Sequence, residues 1–187
     1  MTALPPRDDA WALLCEYTQS DSLRKHALGV EAVMRAYARQ YGEDEERWGM
    51  VGLLHDFDYE RYPSMDGHPQ KGSEILASLG YPEDIRYAIL CHAPYLGFAR
   101  KSRMDQAILA VDELVGLITA VALVQPSKRV ADVKVSSVKK KLKDKAFARS
   151  VNREDINLGV ADLGIALDNH IAFTIQAMTA VAEELGL

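Results

Sequence analysis

Four of the five histidines in this 187-residue chain fall between positions 26 and 92, and two aspartates stand with them. His26 interrupts an apolar stripe between Leu23 and Val30. His55-Asp56 follows Val51-Gly-Leu-Leu54, His68 closes a loop, His92 follows Ile89-Leu-Cys91, and Asp112 follows Leu109-Ala-Val111. An ionised carboxylate at a core-facing position is costly unless it is paired or bound to a metal. Asp112 has no lysine or arginine on its own helix face, so it asks for a cation from elsewhere. Singly, each residue has a plainer explanation: a lone histidine on an apolar face is more often a hydrogen-bonded core residue, and a lone buried aspartate is often a cap. His170, among Leu167, Ile171 and Phe173 with only Asp168 nearby, reads as structural. Taken together, neutral imidazoles with carboxylates suit zinc, iron or manganese, and no thiolate is needed.

The elements that must bring these residues together are helical. Trp11, Leu14 and Cys15 recur at helical spacing within Asp8 to Tyr17. After a start signal at Asp21-Ser22, Leu23, His26, Ala27, Val30, Val33, Met34 and Tyr37 share one face up to Gly42. Trp48, Val51, Leu54 and His55 continue that period. Residues 57–68 have none and contain Pro63 and Gly67, which predicts a loop. Pro69 opens a helix that closes at Gly80. Pro82 opens the next, with Ile85, Ala88, Ile89 and His92 on one side, and residues 103–124 form the most apolar helix. The only alternation is a weak one over Val130 to Val135, and no repeat is present. Further helices are expected over 136–148 and 154–185. The fold class is all-α: one domain over 1–187 with its core at about 20–125.

Composition narrows the function classes. With 48% hydrophobic and 26% charged residues the chain is no disordered tail, and two cysteines, Cys15 and Cys91, make neither a disulfide framework nor a cysteine-rich zinc site. The N-terminus lacks a basic region followed by an apolar stretch, which argues against a secretory signal. The longest run free of charged and strongly polar residues, Leu114 to Val124, reads as core helix rather than membrane span, since eleven helical residues reach only about 16 Å. A cytoplasmic protein without membrane contact is expected. Charge is uneven: residues 125–153 carry ten lysines and arginines against two acids, a net +8, while the whole chain is −5. This reads either as a solvated helix face or as a positive collar that draws in an anionic substrate. The overall negative charge and the lack of interleaved aromatics argue against nucleic acid.

The ordered set His26, His55-Asp56, His68, His92, Asp112, in the contexts Leu23-Arg-Lys-His26, Gly52-Leu-Leu-His-Asp56, His68-Pro-Gln-Lys-Gly72 and Val111-Asp-Glu-Leu114, resembles the HD-domain superfamily of metal-dependent phosphohydrolases over roughly residues 20–125. The resemblance implies an HD-type helical bundle with additional C-terminal helices. It also implies that His26, His55, Asp56 and Asp112 bind one divalent ion, and that His68 and His92 complete a second site sharing Asp56. The metal could be iron, manganese, zinc, nickel or magnesium. The cyclic-dinucleotide phosphodiesterase branch follows its His-Asp pair with glycine and lysine and has two consecutive histidines later. Here Phe57-Asp58-Tyr59 and His92-Ala93 stand instead, so the chain is more similar to the small stand-alone HDIG hydrolases.

On this resemblance the expected activity is hydrolysis of a phosphate ester or nucleotide by metal-activated water, on a small anionic substrate. Asp56 would orient or deprotonate the water, and Asp58 is a candidate proton carrier, although a solvated loop acid is the plainer reading. Lys71 and Lys128 are candidate phosphate contacts. The same ligand set is also similar to the mixed-valent di-iron oxygenases of the superfamily, and a non-catalytic nucleotide-binding domain is a third reading. Ile171, Ile175, Met178 and Val181 form an edge that could make a homodimer contact, though packing onto the core is the simpler role.

Overall fold

Helix boundaries fall where the backbone's unpaired groups find local partners. The computed structural model describes residues 4–187, so the reading of the N-terminus as lacking a secretory signal falls partly on residues 1–3, outside the described residues. After α1 (Arg7–Tyr17), the Ser20 hydroxyl accepts from the Leu23 N–H to open α2 (Asp21–Tyr41), which Gly42 ends in the left-handed conformation at φ 70°. The Asp44 carboxylate caps α3 (Glu45–Leu54) by accepting from the N–H groups of Glu46 and Arg47. Two short helices follow, α4 (Gln70–Ser78) and α5 (Glu83–Cys91). A capping box between Ser102 and Asp105 starts α6 (Arg103–Leu123). The C-terminal part comprises α7 (Val135–Lys143), α8 (Arg153–Leu163, capped by Asn152), α9 (Leu167–Thr179) and α10 (Ala182–Leu185). Among the described residues there is no strand.

The centre of the molecule is α6, which meets α2, α3 and α5 as well as α7, α8 and α9. Its 21 residues are long and apolar enough to cross a membrane by length and composition alone, yet thirteen of them are buried within the protein. That explains its all-round apolarity, since neighbours surround it. Two close approaches set the packing. A Cβ on Gly52 would lie 2.8 Å from the Glu31 backbone, so α3 lies directly on α2; a Cβ on Gly159 would lie 2.4 Å from Ala110 Cα, so α8 lies directly on α6. Two expectations change. The alternation at Val130–Val135 forms a 3₁₀ turn over Val130–Asp132, which buries Val130 and Val133 three residues apart on one side. The helix expected over 136–148 stops at Lys143, where Asp144 turns extended.

Candidate metal centre

The C-terminal ends of α3 and α5, the interior faces of α2 and α6 and the loop before α4 converge on one corner. His26 is presented by α2 and Asp112 by α6, and their Nε2 and Oδ1 atoms are 3.0 Å apart. His55 caps the C-terminus of α3 with Asp56 next to it. His55 Nε2 lies 3.4 Å from Asp112 Oδ1 and 3.5 Å from Asp56 Oδ2. On the other side, His68 Nε2 and His92 Nε2 lie 3.1 and 3.4 Å from Asp56 Oδ1 and 3.1 Å from each other. Two groups of donors result, His26–His55–Asp56–Asp112 and Asp56–His68–His92. Asp56 belongs to both and turns one oxygen towards each.

Three of the four rings are aimed by their other nitrogen. His55 Nδ1 donates to Gly52 O at 2.8 Å, His92 Nδ1 to Ile89 O at 2.5 Å, and His68 Nδ1 to Asp58 Oδ1 at 2.7 Å, with these tautomers assigned from their acceptors. In the neutral rings this leaves three Nε2 lone pairs directed at carboxylate oxygens and at one another. His55 Nε2 is buried and has no hydrogen-bond partner. Lone pairs facing each other at 3.1–3.5 Å repel unless a cation lies among them. Donors about 2.0–2.2 Å from a shared ion stand roughly this far apart. The residues therefore fit divalent metal ions, four donors in one group and three in the other.

The electrostatics report the same demand for positive charge. Burial disfavours a charged His55, yet the Asp56 and Asp112 carboxylates outweigh it and raise the imidazole to about 9. His68, likewise opposed by burial, is raised to about 9 by hydrogen bonds to Asp56 and Asp58. Despite burial, His55 and the rings of His68 and His92 hold Asp56 well below the ordinary carboxylate range, and His55 and His26 do the same for Asp112. Protons are drawn to where a metal would supply charge.

This geometry has a counterpart among known families: residues 23–112 match the family model of the HD domain. The chain is an HD-domain protein. No curated protein matches it significantly. HD domains are in general metal-dependent hydrolases, and the His/Asp groups of this one are compatible with that chemistry. Its matched segment ends at Asp112, the last of the metal donors along the chain.

The remaining site expectations fare differently. Asp58 is neither solvated nor free to carry protons to a substrate. It is fully buried, with one oxygen on His68 and the other accepting from Gly72 N–H at 2.8 Å, and a Cβ on Gly72 would strike it. Its geometry suits orienting His68. Lys71 is exposed and paired with Glu74 at 2.8 Å, and Lys128 is exposed; neither lines the cleft over the metal donors. The positive collar is also displaced: no lysine or arginine lines this cleft, and Lys139, Lys140 and Lys143 border a separate groove with Asp168.

The cleft of about 370 Å³ has instead Tyr59 and Tyr95, Glu113, Ser150, Val151 and Asp155 around the donors. Burial, with Asp112 beside it, pushes the Glu113 carboxyl up to about 8. Sequence reasoning passed over all six. Only Glu113 left a trace, as an acid next to Asp112; Ser150 and Val151 come from a segment with no periodicity, and Asp155 from the first turn of α8. A larger groove of about 580 Å³ beside the start of α5 holds no such donors, and its Arg47 is closed onto Asp84. His170 is structural as expected: Nε2 donates to Ala110 O, and Nδ1 accepts from the Tyr37 hydroxyl.

Proposed function

We propose that this HD-domain protein is a metal-dependent phosphohydrolase acting on a small phosphate ester, related to the stand-alone HDIG hydrolases. The observation that carries the reading is the division of Asp56, one oxygen towards each donor group. His26, His55, Asp56 and Asp112 would hold one ion, and Asp56, His68 and His92 the other. Such ions, when bound, polarise a phosphoryl oxygen and bring the pKa of a water near 7. The chain's own part is positioning. Backbone carbonyls and Asp58 lock three imidazole rings, and three protein donors in the second group leave room for substrate. Tyr59 and Tyr95, both half-exposed at the rim, narrow the approach, with the Tyr95 hydroxyl tied to His68 O at 2.6 Å.

The test combines metal analysis of anaerobically purified protein with turnover on a panel of phosphomonoesters, phosphodiesters and nucleotides. Expected are up to two ions per chain and release of phosphate from monoesters, with Asp56→Ala losing both. A metal-loaded protein inert to the whole panel overturns the reading. A coupled Fe(II)/Fe(III) resonance in that inert protein would assign it to the oxygenases instead.

A further inference from the structure

We propose that the segment Asp144–Asp155, which lies outside the matched HD domain, is the substrate-selecting wall of the metal cleft, and that Arg153 is the residue that positions it. The inference rests on the phosphohydrolase reading and adds the class of substrate: a monoester whose leaving group carries hydroxyls and no second anionic group.

The wall starts from a loop with no regular structure, between Asp144 and Asn152. The Arg153 guanidinium is turned back into it. Nη1 donates to the carbonyls of Ala148 and Val151, both at 2.7 Å, and Nη2 donates to those of Phe147 and Asp144. One planar group thus gathers four carbonyls, of which those of Asp144 and Ala148 also accept the N–H groups of Phe147 and Val151, a task suited to a rigid fork of donors and not to a lysine. Ala148 is held in the left-handed region at φ 42°, a conformation disfavoured for a residue with a Cβ. The loop so gathered puts Ser150 and Val151 on the cleft. Asp155 joins them from the first turn of α8, four residues before Gly159 and so on the face that lies against α6.

Apart from the metal donors and Tyr59 and Tyr95, the polar side chains that line the cleft are therefore Ser150, Asp155 and Glu113, and no lysine or arginine is among them. A phosphoryl group has its counter-charge only on the metal side. A second phosphate or carboxylate on the leaving group would face the Asp155 carboxylate with no cation lining the cleft beside it. Hydroxyls would instead meet acceptors, and a hydroxyl donating to a carboxylate is worth a factor of roughly ten or more in affinity.

Three non-hydrolysable probes test this by calorimetry on the Mn²⁺-loaded protein: 2,3-dihydroxypropylphosphonate, propylphosphonate and 2-carboxyethylphosphonate. The dihydroxy probe should bind about tenfold more tightly than the propyl one, and the carboxy probe more weakly than either. In Asp155→Ala the tenfold preference should fall to within about twofold while metal stoichiometry is kept. Arg153→Lys should lose the preference in the same way, and trypsin should then cut faster after Lys145 and Arg149, which Asp155→Ala should not cause. A merely destabilised fold would weaken all three probes alike. Equal affinities in the parent protein, or a preference that survives both substitutions, overturn the wall and leave the phosphohydrolase reading standing. Binding of none of the probes by metal-loaded protein removes both.

Discussion

Asp58 shows how one buried carboxylate acts through a neighbour. Its two oxygens are engaged by His68 and the Gly72 N–H, so its contribution is the direction of the His68 ring. Asp58→Asn keeps the shape but loses the charge. Metal affinity at the Asp56–His68–His92 group should fall about 10–100-fold, with the other group little changed, as read by metal titration. His170 is the opposite case, an imidazole that must stay neutral. Burial lowers it to about 4, while an unfolded chain returns it to about 6.5. Between those values the unfolded state binds the extra proton, so the stability His170 contributes is present above pH 6.5 and is lost as pH falls towards 4. At pH 4.5 the loss is about 2–3 kcal/mol. Denaturant midpoints at pH 7 and pH 4.5 should show a smaller drop for His170→Gln than for the parent protein.

At the scale of elements, the metal corner exists because helices touch backbone to backbone. His26 rides on α2, and His55 with Asp56 on the end of α3. Gly52 lets those helices meet. Gly52→Ala would place a methyl 2.8 Å from Glu31 Cα and N, which are backbone atoms that cannot rotate away. The expected cost is about 1–3 kcal/mol in urea unfolding. Metal affinity should fall as well, because the shift separates donors of one group. At Gly159 the same substitution would push α8 from Ala110 and carry Asp155 with it. A loss of stability of similar size is expected there, with metal binding kept. The two glycines therefore separate positioning of the donors from positioning of the wall.

For the molecule as a whole, the buried carboxylates couple metal content to stability. Ions that bind only the folded chain should raise unfolding free energy by about 2.7 kcal/mol at a hundredfold excess over Kd, and a chelator should reverse it. Differential scanning calorimetry with and without Mn²⁺ checks this. The all-α class, most helix boundaries and the six candidate donors were legible in the sequence, because helical period, caps and residue chemistry are written locally: Leu23, His26, Val30 and Met34 share a face whatever they pack against. What stayed hidden depended on packing between distant segments. Nothing in the spacing of Asp58 says that Gly72 will close over it, and nothing in a basic run says that Arg153 will turn inward while its lysines border another groove. Residue type and local order thus determined which groups could hold metal. Only the tertiary structure decided which Asp56 oxygen serves which group and which residues face the substrate, because an irregular loop has no period from which side-chain direction can be read.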